Sequence, residues 1–228
     1  MKLLPLLLLA AAATAHAGDL RNEAPGDASI RILNGCDTSQ KERWRTGLDL
    51  TFQGQTIGKD IRLGESGPRG KITCRGKDVI EVFRHGTSAP ALARVPAKLR
   101  DGGTYSLVVF GQLEEESARL GIRVIEEAAG KPDGMCRMLL INTIEKFPVA
   151  IGIDLAAPAR LPAGEVREFV FSPGQVNIGL YFLDPQGKPQ RLQAGLRAEP
   201  GARHTAVLHP SPERPDRPAL VVRSADGP

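Results

Sequence analysis

Apolar and polar residues alternate with a period of two along most of the chain. The pattern is clear in Leu48-Asp49-Leu50-Thr51-Phe52, Lys71-Ile72-Thr73-Cys74 and Ile122-Arg123-Val124-Ile125. Period two marks a β-strand with one buried face. Turn residues separate the runs at Gln53-Gly54, at 64–70 and at Arg100-Asp101-Gly102-Gly103. Residues 113–120 are the one segment that reads equally as a helical turn or a hairpin loop.

The pattern is also said twice. Ser29-Ile30-Arg31-Ile32-Leu33-Asn34 answers to Cys136-Arg137-Met138-Leu139-Leu140-Ile141-Asn142, and Gly47-Leu48-Asp49-Leu50 to Gly152-Ile153-Asp154-Leu155. A third run, 78–83, answers to 175–182, and a fourth, 105–110, to 205–208. On this pairing Asp49 and Asp154 hold matching places and bond structurally to neighbouring turns. A duplicated all-β unit follows. The fold class read from it is two tandem immunoglobulin-like antiparallel β-sandwiches, with a small barrel as the alternative. The boundaries are 29–127 and 135–223, joined by a linker at 128–134, with a leader at 18–28 and a tail at 224–228. Residues 209–218 carry four prolines and read as an exposed loop, because proline lacks the ladder donor.

The first 17 residues change the compartment. Lys2, the apolar run 3–13 and Ala15-His16-Ala17 form a secretory signal, cleaved between Ala17 and Gly18. The apolar run is well short of the roughly 20 residues that span a bilayer. The expected location is the periplasm or the outside of the cell, with no membrane span in the mature chain. In that oxidising setting two of the three cysteines are expected to pair, and Cys36 with Cys74 is the favoured bridge. Cys136 is then a buried thiol or an intermolecular link.

The formal charge of +4 drops to +3 when Lys2 leaves with the signal, and it is spread along the chain. That is no nucleic-acid footprint. The one basic cluster around an aromatic is Lys41, Arg43, Trp44 and Arg45. It reads as a solvated loop with one anchor, or as a contact for a polyanion such as an acidic polysaccharide.

Catalytic constellations are missing from the sequence pattern. No Gly-x-Ser-x-Gly elbow, phosphate loop, dinucleotide fingerprint or zinc spacing occurs, and Ser66 lies in a glycine-rich turn. His204 and His209 are five apart, which puts them on opposite faces of a strand. Glu114-Glu115-Glu116 and Glu126-Glu127 read as solvated runs. No catalytic residue, metal ligand or cofactor is expected. The enzymatic alternative uses His85 with Ser88, or His204 with an acid from elsewhere.

Three marks of the repeat resemble a family of secreted bacterial tandem β-sandwich domains of unknown function: Arg31 to Asn34, Leu48-Asp49-Leu50, and Leu99 to Tyr105. Copy two keeps Asn142, Ile153-Asp154-Leu155 and the run 196–201, with His204 in place of the tyrosine. Gln175 to Tyr181 followed by 196–208 is similar to the second domain of the periplasmic accessory protein of alginate O-acetylation. Export, duplication and the missing catalytic constellations point to a non-catalytic envelope adaptor with an exported protein partner, and the alginate-type resemblance implies a role beside exopolysaccharide modification. An anionic polysaccharide at Lys41, Arg43, Trp44 and Arg45 is the further partner expected. A self-associating matrix protein is the alternative.

Overall fold

The computed structural model describes residues 26–38, 47–74, 78–87, 89–114, 118–127, 134–154 and 156–224. They form 16 strands and no helix, so no helix is long and apolar enough to cross a membrane. The first unit holds β1 (Gly26–Asn34), β2 (Gly47–Phe52), β3 (Gln55–Arg62), β4 (Gly70–Cys74), β5 (Asp78–Arg84), β6 (Ala93–Ala97), β7 (Thr104–Leu113) and β8 (Ala118–Glu126). The second holds β9 (Cys136–Asn142), β10 (Val149–Ile153), β11 (Ala159–Arg160), β12 (Val166–Phe171), β13 (Gly174–Leu183), β14 (Pro189–Ala198), β15 (Arg203–Pro210) and β16 (Pro218–Ser224).

Each unit is a sandwich of two four-stranded sheets, and the two share one topology. The first has β4-β1-β7-β8 over β3-β2-β5-β6; the second has β12-β9-β15-β16 over β11-β10-β13-β14. Alternate residues fill one core per unit. Ile30, Ile32, Leu107 and Val109 meet Leu48, Leu50, Ile80 and Val82 in the first. Met138, Leu140, Ala206 and Leu208 meet Val149, Ile151, Ile178 and Leu180 in the second. The all-β double sandwich is the architecture expected from the repeat, with no barrel closure. One detail departs from a purely antiparallel sheet: the central pairs β1/β7 and β9/β15 run parallel. No hairpin joins them; five strands intervene in each unit, so the chain can re-enter the sheet from the same end.

The repeated asparagines explain why the motif recurs. Asn34 Nδ2 donates to the Ile61 carbonyl, and its Oδ1 accepts the Cys36 amide. Asn142 does the same with the Leu161 carbonyl and the Ile144 amide. Each buried side chain thus ties the end of an inner-sheet strand to the outer sheet. These matched bonds also fix the true equivalence of the copies. Ile61 matches Leu161, and the pairings Phe52–Ile80 and Ile153–Ile178 match as well. On that register Asp49 corresponds to Ala150, and Asp154 to Gln53, the latter two sharing a positive φ of 52° and 51°. The sequence pairing of Asp49 with Asp154 is therefore slipped by four residues, from Ala150 to Asp154: Gly-x-Asp-Leu recurs, but not at equivalent strand positions.

The two units dock face to face through their inner sheets. Leu33, Val108, Ile125, Ile141 and Val207 form a third apolar cluster between them, supported by Leu139, Val166 and Val221. Burial of each such side chain contributes about 1.5–3 kcal/mol. The contacts are reciprocal, as across a two-fold axis. The equivalent hydroxyls of Ser106 and Thr205 lie 3.4 Å apart, and Thr143 Oγ1 donates to the carbonyl of its counterpart Gly35 at 2.7 Å. Arg123 on β8 donates to Gly164 O, while Arg223 on β16 donates to Ser66 Oγ. A Cβ on Gly35 would sit 2.8 Å from Thr143 Cγ2, so glycine permits the close approach there.

A polar knot sits at one side of this interface. Glu127, buried, accepts the Ser106 hydroxyl at 2.6 Å and Arg69 Nη2 at 2.9 Å. Arg31, 2% exposed, donates to the Ser224 carbonyl of the other unit. Burial lowers the affinity of its guanidinium for the proton, as do Arg69 and Arg223, while Glu127 opposes them. Glu127 is thus a buried counter-charge rather than part of a solvated acid run.

Other expectations are corrected by pairing register. Cys74 lies opposite Gly26 on β1, whereas Cys36 lies ten residues further along. At the rise of an extended strand that is roughly 30 Å, far beyond disulfide reach. Cys36, Cys74 and Cys136 are separate buried thiols. Burial pushes the Cys36 and Cys74 thiols up, helped by Asp37 and Asp78 respectively. β1 begins at Gly26, inside the segment read as leader, because Gly26 to Ala28 pair with β4. Residues 113 and 118 are cross-strand partners, so the segment between β7 and β8 is a hairpin connection. His209 and Pro210 belong to β15, opposite Ala219 and Pro218. Pro210 is tolerated because the parallel partner β9 has already ended at Asn142.

Two outcomes are expected. Glu127→Ala leaves Arg69 and Arg31 without their counter-charge and lowers stability by about 3–5 kcal/mol, measured by denaturant unfolding; a loss below 1 kcal/mol would contradict the role assigned to it. Thiol titration of the protein yields three reactive groups after unfolding and none before, with no mass change on reduction.

Candidate functional site

Docking of the inner sheets leaves two outer sheet faces exposed, one per unit. On the first unit that face is filled by charge pairs. Asp49 on β2 meets His85 Nδ1 at 2.8 Å, and its Oδ1 also accepts the Asp60 amide. Asp60 has a φ of 50° beside a register shift between β2 and β3, so Asp49 supports a bulge. Burial alone would raise the Asp49 carboxyl; the Asp60 amide and His85 outweigh it and hold the carboxyl below the ordinary range. Glu81 on β5 accepts Arg94 Nε at 2.9 Å and Thr51 Oγ1 at 3.4 Å. Thr87, next to His85, directs its hydroxyl to the Arg84 carbonyl. Ser88, the nucleophile of the enzymatic alternative, lies outside the described residues.

The equivalent face of the second unit is cleared of those groups. By register, Ala150 stands for Asp49, Gly179 for Glu81, Leu183 for His85 and Gln193 for Arg94. Tyr181 replaces Phe83. Its ring lies over Gly179: a Cβ there would be 2.9 Å from Tyr181 Cε2. Arg191, directly across from Tyr181, places its guanidinium carbon over the ring at 5.3 Å from the centroid. Arg160, Ala150, Tyr181 and Arg191 form one row across the four strands β11, β10, β13 and β14. Between Arg160 and Tyr181 lies a shallow hollow of about 300 Å³, floored by Ala150 and walled by Pro148, Leu183 and Pro189. Leu183 is 46% exposed. Further along the face Gln175, Asn177, Gln193 and Arg197 are exposed.

The charges on this face are of one sign. Among the described residues no carboxylate pairs with Arg160 or Arg191, and Arg197 has only an exposed contact to Glu199 at 3.6 Å. The acids at the two ends of the face are turned into its turns. Asp154 Oδ1 accepts the Asn177 amide; Asp184 accepts the Gln186 and Lys188 amides and Gln190 Nε2.

Two other concavities are less equipped. A groove of about 250 Å³ between the units is lined by Glu126, Glu127, Arg137, Glu168, Arg203 and His204, but its charges compensate each other, as Arg137 does with Glu168 at 3.3 Å. An apolar cleft at the edge of the second unit, beside Phe169 and Val170, opens where two-residue β11 stands in for eight-residue β3.

The remaining sequence candidates fall elsewhere. Lys41, Arg43, Trp44 and Arg45 lie outside the described residues. His204 and His209 sit on opposite faces of β15, by strand parity. His204 shares the core-facing side with Met138, while His209 packs against Gly64 of the first unit. His209 Nδ1 donates to the Pro210 carbonyl, and burial keeps the imidazole below its ordinary range despite that bond. Ser66 accepts Arg223 across the interface. No cluster of three metal-ligating side chains occurs among the described residues. The outer face of the second unit was missed in the sequence. Its signal was there, in the alternation Tyr181-Phe182-Leu183 and Gln190 to Arg197, but only cross-strand register joins those residues to Arg160.

No family model matches the chain, and no curated protein matches it. The families that the repeat marks resemble therefore gain no support from these comparisons, and the double sandwich itself is what stands. A solved structure similar to this chain is CBMbc (family CBM26) from Eubacterium rectale Amy13K in complex with maltoheptaose. It is 8% identical, covering 89% of this chain and 98% of that one, with a TM-score of 0.25. A likeness at that level carries no argument about this chain.

The buried His209 makes stability depend on pH. Its folded value is lowered, so the unfolded chain binds the proton first as pH falls. Stability is complete above about 6.5, the unfolded histidine value, and declines below it. The Asp49 contribution occupies a separate window: it is present above about 3.9 and lost in stronger acid. Denaturant unfolding between pH 7.5 and 5 should show a slope that His209→Gln reduces; an unchanged slope would refute this assignment.

Proposed function

We propose that this is an exported, non-catalytic binding protein of the cell envelope, and that its ligand-contacting surface is the outer sheet of the second unit. The observation that carries the reading is the contrast between equivalent faces. Asp49, Glu81, His85 and Arg94 satisfy one another on the first unit. Their counterparts Ala150, Gly179, Leu183 and Gln193 carry no charge, and a hollow lies between Arg160 and Tyr181, with Arg191 over the tyrosine ring. Exposed cations with no carboxylate partner among the described residues, beside exposed amides, are suited to an external one.

The envelope location rests on the signal-like residues 1–17 and their predicted cleavage after Ala17. Within that setting, an adaptor role beside exopolysaccharide modification, of the alginate O-acetylation kind, is the specific form of the reading. It is supported by the sequence resemblance of 175–181 and 196–208. In that role the second unit holds polymer or a polymer-bound partner, and the docked first unit braces it.

The test uses a photo-crosslinking residue at Gln193 or at its counterpart Arg94, in the full chain expressed in its own envelope. Adducts at Gln193 and none at Arg94, with proteins and glycans both identified by mass spectrometry, are expected. Adducts at Arg94 alone, or at neither position, would overturn the reading.

A further inference from the structure

We infer that the ligand of the second unit's outer face is a carboxylated polysaccharide, a chain of uronate-type sugars, held by Arg160 beside the hollow and by Arg191 at the other end of the row, over Tyr181. This rests on the binding face argued above and adds its chemistry.

Charge sets the sign of the ligand. Arg160 and Arg191 bracket the row with no carboxylate partner among the described residues, and Arg197 extends the same sign along β14. Three strand spacings separate Arg160 from Arg191, roughly 14 Å; Arg197 lies six residues beyond Arg191, roughly 20 Å along the strand. Such a spread suits repeated anionic groups on a polymer better than one small anion. Guanidinium is also the group that binds a planar carboxylate through two parallel N–H donors.

Shape sets the class. The face is a flat sheet with a shallow apolar floor of Ala150, Pro148, Leu183 and Pro189, which fits the apolar side of a sugar ring. Around it Gln175, Asn177 and Gln193 carry both donors and acceptors, as hydroxyl groups require. An acidic peptide bound as an added strand would lie along one edge, beside β11 or β14, whereas this row runs from edge to edge across the face of the four strands.

Tyr181 is a positioning residue. Resting on Gly179, its ring holds the Arg191 guanidinium by a cation–π contact at 5.3 Å. That reduces the rotamer freedom Arg191 would otherwise lose on binding. Tyr181→Phe keeps the ring and the affinity, whereas Tyr181→Ala weakens binding roughly two- to fivefold and leaves the salt dependence unchanged.

The deciding experiment measures binding of the mature chain to sodium polygalacturonate by titration calorimetry at low and moderate salt. Dextran serves as the neutral polysaccharide and poly-L-glutamate as the acidic peptide. The double variant Arg160→Gln/Arg191→Gln should lose affinity by on the order of tenfold or more. A matched control, Arg62→Gln/Arg214→Gln, removes two exposed arginines elsewhere and should not. Binding of dextran as tight as polygalacturonate, or of poly-L-glutamate as tight, overturns the uronate class. Equal losses in the two double variants show only diffuse attraction and overturn the site. No binding of polygalacturonate, with adducts still formed at Gln193 in the crosslinking test, overturns the ligand class alone; loss of those adducts overturns the face itself.

Discussion

The packing of one inner sheet on the other is the constraint on which the rest of the molecule depends. Leu33, Val108, Ile125, Ile141 and Val207 have no place in either sandwich core; they face outward from their own unit and are buried only because the units meet. Each inner sheet is therefore apolar on both faces, and neither unit presents a solvated version of it. The polar groups that enter this zone are satisfied there: Glu127 by Ser106 and Arg69 of its own unit, and, across the interface, Arg31 by the Ser224 carbonyl and Thr143 by the Gly35 carbonyl. Domain pairs joined by a short linker are by default mobile. A shared core with reciprocal hydrogen bonds makes this pair a single body.

That arrangement decides where function can reside. With both inner sheets consumed by docking, the outer sheets are the broad surfaces left. The repeat gives them the same strand order, and side chains separate their roles. On the first unit, polar side chains on adjacent strands close on each other, so the face satisfies itself and Asp49 serves a bulge. On the second, small residues at the same positions open the floor and leave arginines at its borders. A tyrosine lying on a glycine then orders one of those arginines. The same comparison explains why the interunit groove is a weaker candidate: its Arg137 and Glu168 already answer each other.

Much of the fold was legible from residue alternation. The period of two, the glycine turns and the repeat were enough for a double sandwich, because each depends on local preference and on which face is buried. The parallel central pairs were not legible, since β1 and β7 are joined through five other strands and no local signal reports their direction. Register was the larger gap. The repeated Gly-x-Asp-Leu set Asp49 against Asp154, while hydrogen bonding sets Asp49 against Ala150. The same gap produced the Cys36–Cys74 bridge, which suits the loop but not the ten-residue offset along β1. Glu127 looked solvated because acid runs usually are; the fold instead buries it against Ser106 and Arg69. The Arg160–Ala150–Tyr181–Arg191 row crosses four strands, and only pairing register brings β10 and β11 beside the β13–β14 hairpin, so no motif announces it.

The most direct test of the account is amide hydrogen exchange across the whole chain, with and without polygalacturonate. The account predicts that the slowest amides lie in β1, β7, β9 and β15 in both conditions, and that added protection is confined to β10, β13 and β14 around Tyr181 and Gln193. Protection appearing instead on β2 and β5 of the first unit, or in the groove by Arg137 and Glu168, would contradict it.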